Sequence, residues 1–357
     1  MTLDLSANSI ERFEVSASLI SLRTLKLSEN CLGSFDLKDF SSVNLLYLDQ
    51  NCLSNIIGLE HCQNLDVLSL REQTQSSGVA SELTLDIDLG LVKDVRKVFL
   101  SSNRLSPRCL SPSLPLLRLQ LLDIASCTLS SLPSDFSTNF ANVKVLNMNF
   151  NSLTDLEALV GMNCLSRLMM AGNRLARMRR VCQILSRLGR TSQVKQCSLR
   201  KLDIRGNPLT VGFYPPALTG NGAKTARKET KEDKAISQDG RQDLSEALAN
   251  LDQNDHTQPV IWDNGANTID LDINDPSTLA PADPQADQKY LIHLDRTTRL
   301  RRRVLELLLY AGTGGSLQVL DGLDLRPSLG EECLDMASAW NRLEKIGVLR
   351  RKAIKDK

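Results

Sequence analysis

Aliphatic residues recur along the first 210 residues in one fixed pattern. An aliphatic is followed by two variable residues, an aliphatic, one variable residue and a third aliphatic. Two more variable residues lead to a polar position, usually Asn, and then to one variable residue and another aliphatic. The clearest copies are Leu22-Leu25-Leu27-Asn30-Leu32, Val95-Val98-Leu100-Asn103-Leu105, Leu165-Leu168-Met170-Asn173-Leu175 and Leu199-Leu202-Ile204-Asn207-Leu209. The period-two stretch around the second and third aliphatics predicts a short strand with alternating inward and outward side chains. Repetition at a fixed spacing predicts a solenoid, in which each coil buries its aliphatics against the next.

The polar position falls at Asn8, Asn30, Asn51, Gln73, Asn103, Cys127, Asn151, Asn173 and Asn207, in steps of 22, 21, 22, 30, 24, 24, 22 and 34 residues. A step near 22 is that of a short leucine-rich repeat. The fold class is therefore α/β: a leucine-rich-repeat solenoid with a concave parallel β-sheet and 3₁₀ or helical turns on the convex side. The Asn is expected to be buried, bonding backbone groups of the turn that leaves the strand. Cys127 is a small substitute that donates weakly, whereas Gln73 predicts a local distortion. The polar stretch from Gln73 to Ser81 predicts a loop.

This register divides the chain into residues 1–216, about nine coils; 217–290, an insertion; 291–325, a C-terminal cap; and 326–357, a final helix and basic tail. The first repeat starts at Leu3, which suggests that an N-terminal cap is missing and that the chain is a piece of something longer. Gly206-Asn207-Pro208-Leu209 reads as a last coil. Arg301 to Leu309 reads as a helix, and with Leu317-Gln318-Val319-Leu320-Asp321-Gly322 it resembles the cap of phosphatase-regulator leucine-rich repeats. A final helix from about Glu331 to Lys345 is expected to pack through Leu334, Trp340 and Leu343.

The insertion changes composition. Residues 217–289 hold 14 acidic and 7 basic residues, four prolines after Gln258, and Trp262 as their one aromatic. Too little apolar surface is present to offset the entropy of ordering, so disorder is expected. Two features stand out within it. Gln242 to Leu251 could form a short helix, and Pro259-Val260-Ile261-Trp262 followed by "TIDLDIND" has the form of a docking peptide, against the plainer reading of a sticky patch in a tether.

The register also assigns a face to each strand residue. One concave row is Lys26, Tyr47, Ser69, Phe99, Asp123, Asn147, Met169 and Asp203; the next is Ser28, Asp49, Arg71, Ser101, Ala125, Asn149, Ala171 and Arg205. A third row contains Leu45, Val67, Leu121 and Val145. Tyr47, Phe99, Met169 and the third-row aliphatics are expected to be exposed, as a protein-binding face requires, unless turns or the insertion cover them. The candidate partner-binding residues are Tyr47, Asp49, Arg71, Phe99, Asp123, Asn147, Asn149, Met169, Asp203 and Arg205. On the convex side, Val181, Ile184, Leu185 and Leu188 have helical spacing. Arg177, Arg179, Arg180, Arg187 and Arg190 form a basic patch there, suited to an acidic partner, to the acidic insertion in cis, or to solvent.

Charge and composition narrow the functional classes. Lys plus Arg total 43 against 42 Asp plus Glu, so net charge gives no push toward nucleic acid or membrane. The nine cysteines are odd in number and form no CxxC, which argues for reduced thiols. No run reaches the ~20 apolar residues of a membrane span. His61, His256 and His293 stand apart from any plausible nucleophile or ligand set, so no catalytic residue, metal or cofactor is assigned.

"VRKVFLSSNRL" (95–105), "LDIASCTLSSLPSDF" (122–136), "VLNMNFNSLTDLEAL" (145–159) and "LRKLDIRGNPLTVGFYPP" (199–216) resemble the C-terminal leucine-rich domain of fungal spindle-pole-body scaffolds. These scaffolds serve the septation initiation or mitotic exit network and are related to centriolin. The resemblance implies a non-catalytic adaptor in the cytoplasm at the spindle pole body; the solenoid itself is expected to be monomeric. It also implies protein partners: a spindle-pole anchor and components of a GTPase–kinase cascade timing septation and cytokinesis. Two other readings stay open: a phosphatase regulatory subunit, from the cap, and an RNA-associated protein, from the basic coil.

Overall fold

The alternating aliphatics form the strands that the pattern predicts. A computed structural model describes residues 1–15, 21–74, 83–190, 197–215 and 277–325, together with Leu271, Asp275, Ala339, Asn341 and Arg342. These belong to one unit, made of residues 1–216 and 269–357. Nine strands run parallel in sequence order: Thr2–Asp4, Thr24–Lys26, Leu45–Tyr47, Val67–Ser69, Lys97–Phe99, Leu121–Asp123, Val145–Asn147, Arg167–Met169 and Lys201–Asp203. Their register aligns the rows read from the sequence, with Ser69 opposite Phe99, Phe99 opposite Asp123, Asp123 opposite Asn147 and Asn147 opposite Met169. The inward aliphatics, among them Leu25, Leu46, Leu68, Val98, Leu122, Leu146 and Leu168, are fully buried.

Each coil leaves its strand through the polar position. Asn151 donates from Nδ2 to Ile124 O at 3.0 Å and Met148 O at 3.1 Å, and its Oδ1 accepts from Cys127 N at 3.0 Å and Leu129 N at 2.9 Å. One side chain thus joins two coils. Immediately before each ladder residue the backbone is left-handed, at Ala7, Glu29, Gln50, Glu72, Ser102, Ser126 and Phe150, and at Gly172 and Gly206. A residue with a Cβ pays on the order of 1 kcal/mol there. Leaving four buried backbone groups unbonded would cost about 1–3 kcal/mol each, so the ladder outweighs the strain.

Gln73 takes its place without the expected distortion. Its Nε2 donates to Leu48 O at 2.9 Å and Arg71 O at 3.2 Å, and its Oε1 accepts from Leu53 N at 3.0 Å. The Leu70 carbonyl that it does not reach is taken by Asn103 Nδ2 at 2.6 Å. Cys127 donates to Leu100 O and Ala125 O, both at 3.3 Å, and burial pushes its thiol up to about 12. Residues 75–82 of the expected loop lie outside the described residues.

The convex side is built from short pieces. These include the 3₁₀ turns Leu59–His61, Leu89–Leu91 and Glu157–Leu159 and the helix Met178–Leu185, whose Val181, Ile184 and Leu185 are buried. The cap helix is Arg296–Gly312, longer than the sequence pattern suggested, and its N-cap Asp295 accepts from Thr297 N and Thr298 N. After it, Val319–Leu320 pairs in parallel with Lys201–Leu202 and so extends the same sheet. An Asp321-Gly322 turn then reverses the chain into Leu323–Asp324. Both turn residues have positive φ, 56° and 83°, as a tight Asp-Gly hairpin demands. A Cβ on Gly322 would also stand 2.7 Å from Ala282 N.

The far side of the insertion differs from expectation. Residues 217–268, including Gln242 to Leu251 and Trp262, lie outside the described residues. Pro284–His293, however, is a helix rather than part of a disordered tether, with Asp283 capping Gln285 N and Pro284 in its first turn. Arg302 explains why. It is buried and forks onto Asp287 at 2.8 and 2.7 Å, donates from Nε to Glu306 Oε1 at 3.0 Å and from Nη1 to Phe213 O at 2.9 Å, and lies 4.5 Å from the Tyr214 ring centroid. An acidic residue that composition assigns to solvent is thereby a buried partner. Of the expected final helix, Ala339 is buried, Asn341 and Arg342 are helical, and Leu334, Trp340 and Leu343 lie outside the described residues.

Two stability measurements test these joints. Asn151→Ala should lower the urea unfolding free energy by about 3 kcal/mol or more, since it strips bonds from four backbone groups. Arg302→Met should cost about 3–5 kcal/mol by stranding Asp287 and Glu306. Adding Asp287→Leu and Glu306→Leu should restore most of that loss.

Candidate functional site on the concave face

Parallel strands in register bring the variable residues into rows on one surface, but that surface is not bare. The chain returns after the insertion and lays Leu271, Asp275 and Ser277 against it, each of them buried. We call the described residues of this segment, Leu271, Asp275 and Ser277 to Ala282, the strap. Leu271 packs with Leu121, Val145 and Met169, flanked by Phe99, in a cluster separate from the solenoid core. Asp275 Oδ2 lies 2.5 Å from Arg71 Nη2, which also reaches Asp123 Oδ2 at 3.4 Å. The Arg71 guanidinium lies 4.4 Å from the Phe99 ring centroid, a cation–π contact at the edge of the apolar cluster.

Ser277 is the most closely bonded residue of the strap. Its carbonyl accepts from Asn147 Nδ2 at 3.1 Å and Asn149 Nδ2 at 3.0 Å. Its hydroxyl accepts from Asn147 Nδ2 at 2.8 Å and lies 2.5 Å from Asp275 Oδ1 and 3.2 Å from Asp123 Oδ2. Two residues beyond Thr278, Ala280 O accepts from Arg205 Nη1 at 2.9 Å. Arg205 is held in turn by Asp203, at 2.6 Å from Nη2.

The expectation of exposed apolar residues is therefore corrected. Val67, Leu121, Val145 and Met169 are buried, and Leu45, Tyr47 and Phe99 are half-buried. For Leu121, Val145 and Met169 the cover is Leu271, together with Phe99. Of the ten candidate residues, Arg71, Phe99, Asp123, Asn147, Asn149, Met169 and Arg205 meet the strap directly or through its apolar cluster, and Asp203 orients Arg205. Asp49 joins through Arg71, accepting its backbone N–H at 2.8 Å and the Ser69 hydroxyl at 2.6 Å. Tyr47 stands on the neighbouring strand. The residues that the rows did not supply are Leu271, Asp275 and Ser277; the aliphatic–acidic alternation of "TIDLDIND" (268–275) was the signal for the first two, and Ser277 had none.

Electrostatics follow from dryness. Burial, and then repulsion from Asp275, outweigh the pull of Arg71, Ser101 and Ala125 N and push Asp123 from 3.8 up to about 6. Burial likewise raises Asp49, against Ser69 and Arg71. Burial opposes the charge on Arg71, but Asp275, Asp123 and Asp49 prevail and hold its pKa above the usual value.

The basic convex patch resolves differently. Arg180 pairs with Glu157 at 2.7 Å and Asp155 at 3.5 Å, Arg187 reaches Glu157 at 3.6 Å, and Arg190 donates to Gly312 O at 2.8 Å. Arg177 and Arg179 are exposed. Arg180, Arg187 and Arg190 thus bind the neighbouring coil or the cap helix. The described acidic residue of the insertion that meets the sheet, Asp275, pairs with Arg71 on the opposite face.

Stacked parallel coils closed by an amide ladder define a leucine-rich-repeat solenoid, here with a segment of its own chain across the concave sheet. The leucine rich repeat family model matches residues 118–175. The chain is related to the septation initiation network scaffold protein cdc11 of Schizosaccharomyces pombe, at 30% identity over 180 residues. That match takes in 50% of this chain but only 16% of the relative. Among solved structures, the functional domain of InlJ from Listeria monocytogenes, which includes a cysteine ladder, is similar at a TM-score of 0.41 and 17% identity. It covers 58% of this chain and 39% of its own. No helix among the described residues is long and apolar enough to cross a membrane.

A pH dependence follows. Asp123 has a folded pKa above its unfolded value, so the folded state holds the extra proton between about 3.8 and 6. Stability should fall as pH rises through that window, and Asp49 and Asp321, also raised by burial, act in the same direction. Thermal midpoints from pH 4 to 8 should decline in the wild type and decline less in Asp123→Asn.

Proposed function

We propose that this chain is a non-catalytic protein-binding module of a septation-initiation scaffold, holding partner proteins at the spindle pole body. The observation that carries the reading is the 30% identity to the cdc11 scaffold over half of this chain. The architecture supports it, because a solenoid offers one long recessed surface. The concave strip supplies two things that peptide recognition needs: an apolar seat at Leu121, Val145 and Met169, and orienting polar groups at Arg71, Asn147 and Asn149. In this role the chain would contribute anchoring or partner docking to a GTPase–kinase cascade that controls septation and mitotic exit, as a cytoskeletal component of the cytoplasm.

The test is location. The chain carrying a fluorescent tag, expressed in fission yeast, should mark two foci at the spindle poles through mitosis. A diffuse signal at comparable expression would overturn the assignment of spindle-pole anchoring to these repeats.

A further inference from the structure

We infer that the concave strip from Arg71 to Arg205 is a recognition site for an extended peptide of a partner protein, and that the strap is its resident occupant. The partner segment would carry an aliphatic residue, an Asp four positions on, and an uncharged Ser two positions beyond that. This rests on the reading of the chain as a protein-binding module and names the chemistry that the module selects.

The strap meets the sheet as a ligand meets a site. Its apolar anchor, Leu271, belongs to a cluster separate from the solenoid core. The coils close on their own amide ladder, in which no strap residue takes part.

The contacts set a pattern. Leu121, Val145 and Met169 select an aliphatic residue. Arg71 selects a carboxylate four positions later, at 2.5 Å from Asp275. Asn147 and Asn149 hold the backbone carbonyl of the next reading position, Ser277. The side chain there faces Asp123 and lies beside Asp275. The hydroxyl can donate to one of these carboxylates, whereas an acidic side chain would place a third negative charge in a buried space where, among the described residues, Arg71 is the cation set against them. The site therefore accepts Ser and rejects an acid at that position.

Tethering makes the occupant a strong competitor. A linked segment acts at an effective concentration on the order of mM, so a partner peptide binds only to the fraction of chains whose strap is off. The measurement uses a fluorescein-labelled synthetic peptide with the sequence of residues 268–282. It is titrated into the full wild-type chain and into a full-length variant carrying Leu271→Asp and Ser277→Asp. Fluorescence anisotropy should show the variant binding the peptide about tenfold more tightly or better. In the same variant, Val145→Thr should weaken binding, and a peptide with Asp in place of Ser277 should not bind.

Equal affinity for the two chains, or no binding to a variant that keeps its cooperative thermal transition, would overturn the proposal. If the double variant does not fold, Asp275→Ala in the full chain serves as the release mutation and the same two results decide. Sedimentation of the wild type as a dimer that exchanges subunits would assign the strap to a second copy and overturn its role as a resident occupant. Binding of purified components is independent of cellular location. Loss of spindle-pole foci would sink the scaffold reading alone, while failure of the titration would sink this assignment alone.

Discussion

A strand of three residues that must turn at once leaves its carbonyls aimed at dry neighbours. The buried amide at the turn answers that constraint, and the other features of the solenoid depend on it. Each ladder side chain serves its own turn and the preceding coil, so satisfying one coil requires the next to be in place. The left-handed residue before each ladder position is tolerated for the same reason: the local strain is smaller than the cost of several unbonded backbone groups. Gln73 and Cys127 mark the tolerance of the arrangement. A longer amide still reaches, with Asn103 covering the carbonyl it leaves, and a thiol still donates.

A second constraint acts wherever charge is buried. Arg302 and Arg71 use one solution at two places. Each arginine sits among several carboxylates: Asp287 and Glu306, from the preceding helix and its own, in the first case, and Asp49, Asp123 and Asp275, from distant parts of the chain, in the second. Arg302 fastens the returning chain to the cap, and Arg71 fastens it to the concave face. A buried ion pair adds little net stability compared with apolar packing, but losing one partner is expensive. Such pairs therefore specify where the returning segment lies more than they strengthen the fold.

Together these constraints give a sheet fixed by its ladder and covered in part by a segment of the same chain. The sheet is held by its ladder, and among the described residues the strap meets it through Leu271, the Asp275–Arg71 ion pair and the hydrogen bonds of Ser277 and Ala280. The concave face thus takes its shape from the ladder, while the strap adds contacts of its own to that face. The paired arginines of the convex helix have a different role. They tie the last coils and the cap into one body.

Periodicity alone determined the coils, their register and the rows of residues on the concave face, because a side chain's direction along a strand depends only on parity. The amphipathic convex helix was legible for the same kind of reason, from 3.6-residue spacing. The exposure of those rows was not legible. Leu121, Val145 and Met169 read as a bare apolar patch until Leu271 covers them, and Asp275 and Asp287 read as solvated charge until Arg71 and Arg302 pair with them. Composition counts what a segment contains, whereas burial depends on what stands opposite it, and the partners here are separated by more than a hundred residues of chain in the strap and by a turn of structure in the cap. Local pattern settled the solenoid; only the tertiary structure could decide that the chain comes back to cover its own concave face, because that outcome turns on complementarity between surfaces that no local pattern relates.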